Sequence, residues 1–198
     1  VHKFETGDLD KKPDTRSFNT VLQAWYRSTR PDAAEKAEEG LDSMHSLAVS
    51  GRFNVRPDLF TYSCVISAYV KSGRPDSAER AHKLLQRLKE LYAESDDAAC
   101  RPDLRVYADV MCVWTKGHSP QAANTIEELI LELSLVSGRS WKEQGLISCQ
   151  RMLDALSNSP LPESVRLNER LLNVMRTHYL HLDASTAKTA SLDGRHST

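Results

Sequence analysis

Three basic residues recur along the chain at an almost constant spacing. Arg27, Lys71 and Lys116 are 44 and 45 positions apart. A column of cations on one surface is the arrangement that releases counterions from a phosphate backbone. A basic residue in the last turn of a helix is also favoured by the helix dipole alone. The column therefore has two interpretations, which are phosphate contact and local helix stabilisation.

Motifs that carry catalysis are missing from the sequence. The chain has no GxSxG, GxxxxGK[ST], GxGxxG or HExxH motif and no HxE with PCxxC signature. It thus lacks the frameworks of hydrolases, nucleotide-binding enzymes, zinc proteases and zinc deaminases. His178 and His181 lie three positions apart and could be two metal ligands, but no third ligand accompanies them. We predict no catalytic residue, no cofactor and no metal site.

Composition limits the remaining classes of protein. The 198 residues have a formal net charge of -1, with 40% hydrophobic and 27% charged residues, which excludes collagen-like and wholly disordered chains. No apolar run approaches the ~18 residues of a membrane-spanning helix, so we predict no membrane partner. The near-neutral total argues against coating nucleic acid by bulk charge but allows a local basic stripe. The cysteines form no CxxC pair and are expected to be reduced and packed, at Cys64, Cys100, Cys112 and Cys149.

The elements that would position the basic column come from an internal repeat. Stretches that begin at Pro13, Pro57 and Pro102 align with the same offsets of 44 and 45 residues. Self-similarity at a fixed period indicates a solenoid, in which each unit buries its apolar face against its neighbours. The aligned columns are Phe18, Tyr62 and Tyr107; Val21, Val65 and Val110; Trp25, Tyr69 and Trp114; and Pro31, Pro75 and Pro120.

Each unit is predicted to be a helical hairpin. Apolar residues at i, i+3, i+4 and i+7 give the first helix one apolar face, which makes its aromatic residues core rather than a stacking surface. Pro-Asp begins that helix, and the second proline begins the next one. We predict an all-α, right-handed superhelical α-solenoid. Its parts are the end of a preceding repeat or a linker at 1–11, repeats at 12–55, 56–100 and 101–138, a degenerate repeat or helical cap at 139–181, and a mobile tail at 182–198.

Pro-Asp followed by LFTYSCVISAYVKSGR, at residues 59–74, resembles the pentatricopeptide-repeat family, and TRSFNTVLQAW at residues 15–25 resembles it too. The resemblance covers residues 12–137, as a P-type-like array whose units are longer than the family's ordinary repeat by roughly ten residues. Tetratricopeptide repeats, the main alternative, would have a glycine within the first helix and a different aromatic spacing, and neither appears in this sequence. The start of the chain looks like the end of an earlier repeat, so we expect a longer array.

The resemblance implies that single-stranded RNA binds along the first helices at about one base per repeat. The residues one turn into the first helix and the aspartate that closes the repeat would read the base, namely Asn19 with Asp58 and Ser63 with Asp103. The first pair looks like the family's uracil-preferring combination and the second like a weaker form of its guanine-preferring one. Ala108 occupies the third reading position and assigns no base. Base stacking falls to Arg16, Phe60 and Arg105, and phosphate contact to Arg27, Lys71 and Lys116.

These residues can also be interpreted without a ligand, as helix caps in the case of the aspartates and as ordinary solvent-exposed residues in the case of the others. We expect a non-enzymatic, sequence-selective RNA-binding module for organellar RNA processing, stability or translation, in a mitochondrion or chloroplast by resemblance. With so few readers, flanking repeats or a protein partner would be needed for selective binding. The alternative is a protein-binding α-solenoid scaffold that does not bind RNA.

Overall fold

The computed structural model describes residues 13–51, 54–116, 119–136 and 138–193, without the side chains of 138–144 and 179–193. All regular structure in these ranges is helical, which confirms the predicted all-α class. The right-handed superhelical course stays a prediction. The α-helices are α1 (Thr15–Arg27), α2 (Ala33–Ser50), α3 (Leu59–Ser72), α4 (Ser77–Ser95), α5 (Leu104–Trp114), α6 (Ala122–Leu133), α7 (Gly138–Ser157) and α8 (Ser164–Asp193), and a 3-10 helix spans Ala98–Cys100.

The Pro-Asp dipeptides begin the first helices, as predicted. In each case the aspartate side chain accepts a hydrogen bond from the backbone N–H three residues later, which satisfies one of the donors left unpaired at a helix start. The N-cap contacts join Asp14 to Ser17 at 2.8 Å, Asp58 to Thr61 at 2.8 Å, and Asp103 to Val106 at 3.0 Å. The second prolines, Pro31, Pro75 and Pro120, each lie two residues before the next helix.

The chain divides into two compact units between Pro102 and Asp103. In the first unit, α1 packs against α2, α3 packs against α4, and α3 also contacts both α1 and α2. A Cβ atom on Gly40 would lie 2.8 Å from Cδ2 of Leu22. The glycine therefore lets α2 approach α1 closely enough to bury Leu22.

Ion pairs connect the two hairpins of this unit, from α2 to α4 and to the turn before α4. Their partners are Glu35 with Arg74 at 2.8 Å, Glu38 with Arg80 at 3.2 Å, and Asp42 with Arg87 at 2.9 Å. The hydroxyl of Tyr69 also donates to Glu38. Burial of Tyr69, together with this carboxylate, raises the pKa of its phenol. The exposed pairs are each worth about 0–1 kcal/mol, so the apolar core holds the hairpins together.

The second unit consists of α5 to α8. Helix α5 packs against α6 and α7, and α8 packs against α6 and α7. Two helices therefore stand where we expected a degenerate repeat or cap. The guanidinium of Arg151 on α7 donates to the carboxylate of Asp109 on α5, and the sulfur of Cys112 lies 3.7 Å from the carbonyl oxygen of Arg151.

The predicted tail at 182–198 does not begin where we expected. Helix α8 continues to Asp193. Residues 183–193 contain three alanines, a lysine and a leucine but no glycine or proline, so nothing in this stretch stops a helix before Gly194. Residues 194–198, and the predicted N-terminal segment 1–11, lie outside the described residues.

The four cysteines are free and buried, as expected. Burial raises the pKa of Cys149 to about 11, and it also raises the pKa values of Cys100 and Cys112. Because the thiolate is the reactive form, these side chains are packing groups rather than nucleophiles.

The aromatic and valine columns are core in the later repeats and partly open in the first. Tyr62, Tyr69, Tyr107 and Trp114 are buried, whereas Phe18 and Trp25 are half-buried. Val65 is 0% exposed, but Val21, in the same column of α1, is 54% exposed. Equivalent positions thus differ in what they contribute to stability.

This difference predicts unequal costs for the same substitution. Val65→Ala should lower the free energy of unfolding by about 2 kcal/mol, because a fully buried side chain leaves a cavity. Val21→Ala should change it by less than about 0.5 kcal/mol. Urea denaturation followed by circular dichroism measures both, and helix propensity cancels between them. Equal losses would contradict the difference in burial.

Candidate nucleic-acid interface

The residues predicted to read the first base are in contact. Asn19 lies one turn into α1, and Asp58 is the N-cap of α3. The amide nitrogen Nδ2 of Asn19 donates to Oδ1 of Asp58 at 3.4 Å, in a partly buried position. Because α1 packs against α3, two residues 39 positions apart form one polar group.

Sequence reasoning missed a third member of this group, Thr61. Its hydroxyl oxygen lies 2.7 Å from Oδ1 of Asn19 and 2.8 Å from Oδ1 of Asp58, and it accepts a hydrogen bond from the backbone N–H of Asp58 at 3.1 Å. Asp58 and Thr61 form a capping box. The aspartate and threonine three residues apart could have indicated that box from the sequence. Nothing in the sequence indicated the contact with Asn19 across two helices.

An open cavity of about 440 Å³ lies beside this group, within the size range of ligand sites. Two of the predicted stacking residues line it together with the predicted reading pair. Phe60 is 42% exposed, so its ring can contact a ligand. The lining residues are Thr15, Arg16, Asn19, Thr20, Gln23, Asp58 and Phe60.

The predicted phosphate contacts have different surroundings. Arg27 is exposed and lies on the face of α1 that carries Arg16, Thr20 and Gln23, at helical spacing i, i+4, i+7 and i+11. Lys116 is also exposed. The ammonium group of Lys71 lies 4.1 Å from the ring centroid of Tyr26 and donates to its carbonyl oxygen at 3.3 Å. Lys71 thus connects α1 to α3, in addition to any contact it makes with a ligand.

The second predicted pair has residues in separate units. Ser63 is buried, and its hydroxyl donates to the carbonyl oxygen of Leu59 within its own helix at 2.7 Å. Asp103 is the N-cap of α5. Base reading by Ser63 and Asp103 stays a prediction, as does stacking by Arg105, which is exposed.

Helix α5, the first helix of the third repeat, differs from α1 on the equivalent face. Ala108, at the reading position, is fully buried. Asp109, in the column of Thr20, is buried and paired with Arg151 of α7. Helix α7 therefore covers in α5 the face that lines a cavity in α1, and no base is assigned to Ala108.

The sequence predicts neither a metal site nor a membrane-spanning helix. Among the described residues, no group of three or more His, Cys, Asp or Glu could hold a metal ion. His181 lies outside the described side chains, so its pairing with His178 is not addressed. None of the helices within the described ranges is long and apolar enough to cross a membrane.

The position of Lys71 predicts a measurable coupling with Tyr26. A double-mutant cycle of Lys71→Ala and Tyr26→Leu should give about 0.5–1 kcal/mol of interaction free energy at this partly exposed site. Urea denaturation of the four proteins measures it. The cycle of Arg27→Ala with Tyr26→Leu is the control and should give less than about 0.3 kcal/mol, within the range of simple additivity. A zero coupling for Lys71 would show that the ammonium group does not hold the ring.

Comparison with known proteins adds one finding. The family model for the pentatricopeptide repeat, described as "PPR repeat", matches residues 60–90. The match covers most of α3 and α4, the hairpin whose sequence carries the resemblance. No curated protein and no solved structure matches the chain. Residues 60–90 therefore match a pentatricopeptide repeat, the family that the sequence of this hairpin resembles.

Proposed function

We propose that the chain is a non-enzymatic module that binds single-stranded RNA in the cavity between α1 and α3. The observation that supports this function is the contact of Asn19 with Asp58 inside a cavity that Arg16 and Phe60 also line. Amide and carboxylate groups hydrogen-bond to the Watson–Crick edge of a base. A guanidinium plane and a phenyl ring can stack on its faces. One site thus offers both kinds of contact that a splayed base uses.

The hydrogen-bonding capacity of the pair leaves room for a base. Asn19 uses one N–H toward Asp58, so its second N–H can serve a ligand. Asp58 uses Oδ1 toward Thr61 and Asn19, which leaves Oδ2 as an acceptor. The pair then presents a donor beside an acceptor, and the family resemblance selects uracil as the base.

Phosphate contact is proposed for the cation column. Arg27 continues the face of α1 that lines the cavity, so a strand that places a base beside Asn19 passes close to this guanidinium. Lys71 and Lys116 extend the column. The ring of Tyr26 restricts the ammonium group of Lys71, which lowers the conformational entropy lost when a phosphate binds.

The biological setting is proposed from the family. Its members typically work in organelles, so we propose a mitochondrial or chloroplast role in RNA processing, stability or translation. The cavity beside Asn19 and Asp58 gives few discriminating contacts, each worth about 1–3 kcal/mol on the scale measured for DNA. Flanking repeats or a protein partner would therefore supply the remaining selectivity.

One observation favours a second function, a protein-binding scaffold. The face of α5 equivalent to the cavity is covered by α7, and its reading position is the apolar Ala108. An α-solenoid could instead hold an extended peptide in the cavity beside Asn19, with Asn19 bonded to peptide groups instead of a base.

RNA binding is tested by fluorescence anisotropy with labelled oligo(U), oligo(A), oligo(C) and oligo(G) at two salt concentrations. We expect saturable binding that prefers oligo(U) and weakens with salt. Removing both Arg27 and Lys71, each changed to Ala, should reduce the slope of log K against log salt by up to about 1.4, from ~0.7 per phosphate on single strands. Asn19→Ala should reduce the preference for oligo(U) about tenfold.

The matched control removes the same charge from the second helices. Lys36 and Lys83 are exposed on α2 and α4, and their joint change to Ala should leave the salt slope nearly unaltered. Equal effects of the two double variants would mean that binding is not localised to the cation column. Absence of saturable binding at low salt would contradict the RNA function and favour the peptide-binding scaffold.

A further inference from the structure

We infer that Thr61 is a positioning residue, which fixes the side-chain amide of Asn19 so that it donates to the bound base. This inference rests on the proposed RNA function and deepens it. Thr61 lies on α3, 42 positions from Asn19 in the chain, and it is not among the residues that line the cavity. It acts through Asn19 and not by touching the ligand.

The hydrogen bonds around Thr61 direct its hydroxyl toward the pair of Asn19 and Asp58. The oxygen accepts from the backbone N–H of Asp58 at 3.1 Å, so the hydroxyl proton is left for an acceptor. Two acceptors lie within reach, Oδ1 of Asn19 at 2.7 Å and Oδ1 of Asp58 at 2.8 Å, and the proton is shared between them. Thr61 is 0% exposed, so water cannot replace a lost partner, and an unsatisfied polar group there costs about 1–3 kcal/mol.

The carboxylate of Asp58 completes the restraint. Its Oδ1 lies 3.4 Å from Nδ2 of Asn19. Reversing the amide would bring its carbonyl oxygen against this carboxylate oxygen, and two acceptors repel. With Oδ1 held by Thr61 and one N–H held by Asp58, the remaining N–H of Asn19 is the group left for the ligand.

A fixed donor discriminates between pyrimidines. Uracil has a carbonyl oxygen at the position where cytosine has an amino group, so a donor from Asn19 matches uracil and opposes cytosine. An amide that is free to turn could offer its carbonyl oxygen to cytosine instead. Loss of the Thr61 hydroxyl should therefore weaken the choice between uracil and cytosine more than it weakens binding.

The other repeats show that helix capping does not need this hydroxyl. Val106 occupies the column of Thr61 in α5, and its backbone N–H still donates to Asp103 at 3.0 Å. Ser17 occupies the column in α1, where its hydroxyl donates to Asp14 at 2.7 Å from an exposed position. Thr61→Val therefore introduces in α3 a residue type that the equivalent position of α5 already carries. Ser17→Ala is a matched control, because it removes the equivalent hydroxyl from α1 and leaves the contacts of Asn19 unchanged.

The test compares oligo(U) and oligo(C) affinities by anisotropy for wild type, Thr61→Val, Thr61→Ser and Ser17→Ala. We expect the wild-type ratio to fall about tenfold in Thr61→Val, and to be kept in Thr61→Ser and Ser17→Ala. An unchanged ratio in Thr61→Val, or no pyrimidine preference in a wild type that binds both, overturns the role of Thr61 and leaves RNA binding intact. A wild type that binds neither overturns the proposed function itself.

A measurement on the wild-type protein keeps the inference testable if Thr61→Val does not fold. The hydroxyl proton of Thr61 should be visible and slow to exchange in the NMR spectrum, with nuclear Overhauser contacts to α1. Fast exchange with solvent would show that the hydroxyl does not hold Asn19. This readout does not depend on RNA, so it separates the role of Thr61 from the proposed function.

Discussion

Both the second hairpin and the candidate site depend on the hydrogen bonds that the carboxylate of Asp58 accepts. It pairs with the backbone N–H of Thr61 and so begins α3, and the same oxygen receives the amide of Asn19. A helix start leaves backbone N–H groups that need acceptors. The carboxylate is therefore required at this position by helix α3 itself, whether or not a ligand binds. The site therefore uses a group that is already fixed by the backbone.

Fixing the carboxylate in this way reduces the entropy that binding must overcome. A side chain that caps a helix keeps few rotamers, so a ligand meets an ordered acceptor. The position of Asn19 is set separately, by the burial of Leu22 against α2 and by the close approach that Gly40 allows. Packing thus places α1 beside α3, and helix capping fixes the carboxylate oxygen of Asp58 that Asn19 of α1 contacts.

Much of this arrangement could be predicted from the sequence, because it depends on local rules. The helical spacing, the Pro-Asp starts and the 44–45-residue offsets gave the hairpins, and the family resemblance gave Asn19 with Asp58. Contacts between distant residues could not be predicted. The bond from Thr61 to Asn19 depends on how two helices lie together.

Three other features could not be predicted, for the same reason or for a simpler one. The ammonium group of Lys71 over Tyr26 requires a packing distance that no spacing rule supplies. The burial of Ser63, with its hydroxyl bonded to the carbonyl oxygen of Leu59, was not indicated by its position in the sequence. The small polar residues of 183–193 predict a tail, yet α8 continues through them, because alanine-rich sequence without glycine or proline permits a helix.

The ion pair of Asp109 with Arg151 has a consequence for how such sequences can change over time. Asp109 is buried, so loss of the guanidinium of Arg151 would remove an opposite charge from a buried carboxylate, which is costly. Changes at the two positions are therefore expected to occur together, as a covarying pair. The cavity-lining residues Thr20 and Gln23 carry no such constraint and are free to diverge with the ligand.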